Sequence, residues 1–161
     1  MKQTKLLTLT AMVMALCAIG AMIKIPVFSA TAALDAAPAF ISAAFLPAAF
    51  AGIAGGMGHV LTALTSGMPL GPLHALIAIE MFVVVWVFAS LHKKGKHILK
   101  WVWALIANGI LSPLPFYFII SPAFFFASVP GLLLATAINL VFVAVLLPIL
   151  QKVFTRNEVR L

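Results

Sequence analysis

Charge is what this chain has least of. Only 8% of its 161 residues are Asp, Glu, Lys or Arg, and just three are acidic: Asp35, Glu80 and Glu158. A soluble domain carries roughly 25% charged residues, so a water-soluble globular protein is excluded. The sequence contains no G-x-x-x-x-G-K-[ST] loop, so any ATP-driven step must come from a partner. It also has no H-E-x-x-H, no serine in a nucleophile motif and no acids paired closely in sequence. The chain therefore reads as a non-enzyme with no catalytic residues, no metal site and no cofactor of its own. A single cysteine, Cys17, rules out an internal disulfide.

What fills the sequence instead is apolar: 65% of residues are hydrophobic, and the mean hydropathy is +1.23. A helix needs about 20 apolar residues to cross a bilayer, and the length allows about six such helices with short loops. The pattern predicts a single domain over residues 1–161, an all-α integral membrane protein. Its compact bundle of six transmembrane helices would lie near residues 4–23, 35–46, 48–66, 72–91, 98–118 and 129–154. The first apolar run exceeds the 7–15 residues of a signal-peptide core, so it reads as helix one. The helix at 35–46 is short for a full span and would either begin earlier, near Ser29, or be shielded by its neighbours. The triple-Phe segment at 123–127 reads as a loop or a helix lying over the bundle.

The net charge of +7 does not point to nucleic acid, because of where the cations sit. Lys2, Lys5, Lys93, Lys94, Lys96, Lys100, Lys152, Arg156 and Arg160 all fall on one side of a six-helix topology, leaving Lys24 on the other. By the positive-inside rule the crowded side is the cytoplasm, and both termini lie there. The loops after helices one, three and five then face outward.

Polar groups in such surroundings are costly and mark the places where function sits. Residues 35–80 hold two of the three acids and two histidines, His59 and His74. Counting 1.5 Å per residue from the outer turns puts His59 about 11 Å deep and Glu80 about 13 Å deep, on adjacent antiparallel helices where they could pair. For Glu80 a substrate contact and a carboxylate locking two helices stand side by side. His59 is open between ligand contact and hydrogen-bonded packing, and His74 between a ligand or gating role and solvation. Asp35 reads first as a helix cap, with Pro38 in the first turn. Asn108 and Asn139 suit interhelical hydrogen bonds or a ligand. His92 and His97 read as solvated in a basic loop, and Trp101 and Trp103 as an interfacial belt. On helix one, Ala11, Ala15 and Ala18 form a smooth stripe that admits another helix closely. From composition alone, a small proton-coupled exporter using Glu80 as proton site is the alternative function.

Three stretches carry a family resemblance. Ala11-Met-Val-Met-Ala15 matches an alanine-x-x-x-alanine motif. The segment from Asp35 through Phe45-Leu46-Pro47 to Gly52 has an acidic start and a small-residue turn. Gly56-Met-Gly58-His59 is followed by Gly67-Met-Pro69-Leu70-Gly71-Pro72-Leu73-His74. Together they resemble the S components, the substrate-binding subunits of energy-coupling factor (ECF) vitamin transporters of prokaryotic cell membranes. The third stretch looks like a subgroup assigned to cobalamin precursors, in particular α-ribazole. The resemblance implies capture of a vitamin or precursor from outside, then delivery through a transmembrane T protein driven by two ABC ATPases that use the ATP. The residues themselves suggest substrate contacts from His59, His74, Glu80, Asn108, Tyr117 and Asn139, with Phe40, Phe45, Tyr117 and residues 124–126 able to stack on a flat ring. Gating would fall to loops holding Lys24, Asp35, Pro69 and Gly71, and T-protein docking to Ala11, Ala15 and Ala18.

Overall fold

A computed structural model of the chain describes residues 3–27 and 30–156. Lys2 and Arg160 of the charge pattern, and Ser29 as an earlier helix start, lie outside the described residues.

Among the described residues, five segments are long and apolar enough to cross a membrane: Gln3–Met22, Ala48–Thr65, Gly71–Lys93, His97–Ile119 and Pro122–Val153. The first is α1 (Gln3–Met22). It buries Thr10, Val13, Cys17, Gly20 and Ala21 at three- and four-residue spacing, which makes one inward face. Leu7, Met12, Leu16 and Ile19 lie exposed on the rest of it. Large apolar side chains turned outward along a helix are what a lipid environment accepts and water does not.

The sequence predicted a purely helical chain, but a two-stranded antiparallel hairpin follows α1. Strand β1 (Lys24–Val27) pairs with β2 (Ala30–Ala33), Lys24 opposite Ala33. The Leu34 N–H donates to the Gly20 and Ile23 carbonyls, which folds the hairpin's return back over the end of α1. The predicted second span is also corrected. Residues 35–46 hold only α2 (Ala37–Ile41) and a 3-10 turn at Ser42–Ala44. Eight such residues rise roughly 12 Å, well short of a bilayer. This piece is shielded instead, with Phe40 and Leu46 fully buried and Phe40 set edge-on to Phe88, centroids 4.9 Å apart.

Helices α3 (Ala48–Thr65) and α4 (His74–Lys93) form the tightest pair. A Cβ on Gly56 would sit 2.6 Å from the Ala78 carbonyl oxygen, and one on Gly52 2.9 Å from that of Phe82. These two glycines therefore set the approach of α3 to α4, as small residues do in membranes. The turn between the helices runs through Gly67, Met68 and Gly71, all at positive φ.

The fourth of these segments, predicted as helix five, is not one regular helix. Helix α5 (His97–Ile106) passes into a π-helical turn at Ala107–Leu111, and α6 (Leu114–Ile119) follows. Pro113 and Pro115 have no N–H to give, so the ladder shifts register ahead of them, and the Ser112 N–H donates to the Ala107 carbonyl at 2.8 Å. Helix α7 (Pro122–Arg156) is longer than predicted. Residues 123–127 are its first turns rather than a loop. Ser121 Oγ accepts the Phe124 N–H at 3.1 Å, and Pro122 stands at the first helical position, a standard start.

Two aromatic and basic features move inward from their predicted surfaces. The Trp103 indole N–H donates to the Val84 carbonyl at 3.0 Å, and Trp101 packs edge-on to Phe88. His92 is not solvated: Lys100 Nζ donates to its Nδ1 at 2.8 Å, and the Gln151 side-chain amide meets its Nε2 at 2.7 Å. This ties the ends of α4, α5 and α7 together. Lys100 is buried, with Trp101 beneath its ammonium at 4.7 Å.

Candidate functional site

A cavity of about 470 Å³ opens between α2, α3, α4, the π turn, α6 and α7, beneath the turn that links α3 to α4. Its walls are largely apolar. Ala36, Ala39, Ile77, Met81, Phe116 and Phe124 contribute, the last two being rings set edge to face with centroids 6.0 Å apart. Polar groups interrupt these walls at a few points: Asp35, His59, Asn108, Ser112, Ser128, Thr136 and Asn139.

Each polar side chain reaches the cavity for a local reason. Asp35 is placed by the hairpin's return, outside the five spans. It does not cap α2, whose N-cap position is Ala36 without a side-chain cap. Burial pushes its carboxyl up to about 6, against which its own backbone N–H and that of Ala36 pull downward. Asn139 supplies the missing cap from far along the chain. Its Oδ1 accepts the Ala37 N–H at 2.8 Å, and its Nδ2 donates to the Ala33 and Ala135 carbonyls at 2.7 and 2.9 Å. Asn139 thus clamps β2 and α2 to α7, and both of its amide hydrogens are engaged.

Asn108 sits in the π turn, where the wider coil displaces it from the regular helix face. Its Nδ2 donates to Thr136 Oγ1 at 2.8 Å, while its Oδ1 accepts no hydrogen bond among the described residues. Ser112 closes the same turn, and its buried Oγ has no partner among the described residues. His59 and His74 meet each other: His59 Nε2 lies 3.1 Å from His74 Nδ1. His74 is buried behind His59, and its Nε2 accepts the Leu70 N–H at 3.3 Å.

Of the six residues expected at the substrate, His59, Asn108 and Asn139 line the cavity, and His74 backs His59. Glu80 and Tyr117 are not among the lining residues. The expected pairing of Glu80 with His59 does not form, because the contacts of Gly56 with Ala78 and Gly52 with Phe82 set Glu80 level with residue 54 of α3. One Glu80 oxygen, Oε2, is buried without a hydrogen-bond partner among the described residues. Tyr117 packs with Phe118, Phe125 and Phe126. Phe40 belongs to the core rather than to a ring-stacking wall. Ser112, Phe116 and Thr136 are cavity residues that sequence reasoning missed. The Ser-Pro-x-Pro run at 112–115 was the available signal for the first, since paired prolines disrupt the helix ladder beside it.

Among the gating residues, Asp35 lines the cavity and the turn holding Pro69 and Gly71 brings Leu70 to it. Lys24 starts β1 and is exposed. On the opposite side of α1 from its buried face, Ala11 and Ala15 are exposed and Ala18 half-buried. Among the described residues no three His, Cys, Asp or Glu side chains gather as a metal site would need.

A family model for the substrate-specific component of ECF transporters matches residues 5–155, nearly the whole chain. The chain belongs to that family. It is therefore a substrate-specific subunit of an ECF transporter, a multi-pass membrane protein of a family of binding subunits rather than enzymes. Such S components work with a T protein and ATPases. Comparison with curated proteins and with solved structures returned no match.

Proposed function

We propose that this S component captures a vitamin or vitamin precursor in the cavity beneath the α3–α4 turn, with α-ribazole or a related cobalamin precursor as the best candidate. The observation that carries this reading is the cavity's make-up. Its apolar walls with two edge-to-face phenylalanines suit a flat ring, and polar side chains at Asp35, Asn108, Ser112 and Thr136 suit hydroxyl groups. A benzimidazole nucleoside has both halves. The cavity faces the outside and both termini lie in the cytoplasm, a reading supported by the one-sided distribution of Lys and Arg. Gating falls to the β1–β2 hairpin and to the turn with Pro69 and Gly71. The exposed Ala11–Ala15 stripe receives the T protein, and two ATPases drive release. The exporter alternative has less support, because Glu80 is not among the cavity-lining residues.

Mass spectrometry of the small molecules that copurify with the protein tests the substrate. The expected result is a benzimidazole nucleoside or a close precursor released on denaturation. Recovery of a chemically unrelated vitamin would overturn the substrate assignment.

A further inference from the structure

The two histidines form a chain whose proton positions are decided by a backbone amide. The Leu70 N–H can only donate, so His74 Nε2, its acceptor at 3.3 Å, carries a lone pair. An uncharged His74 must then hold its proton on Nδ1. That proton faces His59 Nε2 across 3.1 Å, so His59 Nε2 is an acceptor too. An uncharged His59 in turn holds its own proton on Nδ1. No hydrogen bond to that nitrogen forms among the described residues, and His59 lines the cavity. Elsewhere in the cavity, acceptors stand open. Asn108 gives one of its two Nδ2 hydrogens to Thr136 and keeps a bare Oδ1, and Asp35 offers carboxylate oxygens. Asn139 has nothing left to give.

From this we infer that His74 is a positioning residue that fixes His59 as a hydrogen-bond donor to the substrate, so that the substrate presents an acceptor to His59 and donors to Asn108 and Asp35. This rests on the proposed binding role of the cavity and sharpens it. The substrate class is a flat ring system bearing a hydrogen-bond acceptor, such as a bare ring nitrogen, with hydroxyl groups at its other end. For a benzimidazole nucleoside, the unsubstituted ring nitrogen meets His59, and the ribose hydroxyls meet Asn108 and Asp35. Chain connectivity makes the arrangement responsive to the turn as well: the Leu70 amide that begins the chain belongs to the loop joining α3 to α4.

The direct test is ¹⁵N NMR of histidine-labelled protein in nanodiscs at pH 7.5, without substrate. The expected result is that His59 and His74 both carry their proton on Nδ1. His74→Asn places an amide N–H where Nδ1–H stood and should keep His59 in that form, whereas His74→Phe should release it to a mixture. A wild-type His59 protonated on Nε2, or on both nitrogens, would overturn the inference whatever the substrate is. Binding provides the second arm. A benzimidazole ribonucleoside should bind the wild type about tenfold more tightly than the matching indole ribonucleoside, which lacks the ring nitrogen, the difference of one hydrogen bond. In His59→Phe that preference should vanish, and an unchanged preference there contradicts the inference. If neither nucleoside binds but the NMR shows the Nδ1–H form, the substrate assignment falls and the donor at His59 stands.

Discussion

At the scale of single residues, Asn139 does more than any other polar group here. It is buried in α7, yet its three hydrogen bonds end on β2, on α2 and on its own helix. Asn139→Leu keeps the volume but leaves the Ala37 N–H and the Ala33 carbonyl unpaired. The expected cost is about 1–3 kcal/mol. It should appear as a lower melting temperature in detergent together with weakened substrate binding, since Asp35 is positioned by the clamped segment. Asp35 itself gives a pH prediction. Its carboxyl titrates at about 6 in the fold against 3.8 for the free group, so the fold favours the protonated form. Stability contributed by that preference is full below about 4 and is lost as pH rises to about 6. Asp35→Asn, which mimics the protonated acid, should therefore raise the melting temperature at pH 8 and leave it nearly unchanged at pH 4. No gain at pH 8 would contradict the burial of this carboxylate.

At the scale of elements, helix positions were largely legible in the sequence, because long apolar runs leave few alternatives. α1, α3 and α4 fall close to their predicted bounds. Where the prediction failed, the cause was a bond between distant parts of the chain. Residues 35–46 read as a span, but the segment is a buried half-helix, capped by a residue more than a hundred positions later. The hairpin was hidden because neither strand has an alternating pattern, and its placement depends on the end of α1. The π turn was half visible: Asn108, Pro113 and Pro115 were seen to interrupt the helix, but not that the interruption aims Asn108 and Ser112 inward. His59 could be picked out as a costly polar group, while its partner could not. Depth counted from the outer turns favoured Glu80, and only the glycine contacts between α3 and α4 set the true register. At this scale α1 offers a division of labour. Its inner face is core, while Ala11 and Ala15 lie outside. Ala15→Trp should leave substrate affinity of the isolated subunit within about twofold, as expected for a surface change far from the cavity. It should abolish uptake by cells that also express the T protein and ATPases. Equal loss of binding would show that the outer face of α1 is not a separate docking surface.

At the scale of the whole molecule, the cavity and the tie between helix ends lie at opposite ends of the helices. Asp35 after the hairpin, Leu70 in the α3–α4 turn and the first turns of α7 line the cavity. At the other end, Lys100, His92 and Gln151 tie α4, α5 and α7 into a unit. The chain belongs to a family of substrate-specific subunits that work with a T protein and ATPases, and its sequence carries no G-x-x-x-x-G-K-[ST] loop. The central claim is that the cavity holds the substrate, and one variant addresses it without disturbing the core. Gly131 lines the cavity, and no atom lies within 4 Å of a Cβ added there. Gly131→Phe should therefore fill the cavity while the fold stays intact. Isothermal titration of the purified wild type with α-ribazole should give saturable, one-to-one binding. The variant, melting at the same temperature, should give none. Equal binding by wild type and variant would place the substrate elsewhere and contradict the account.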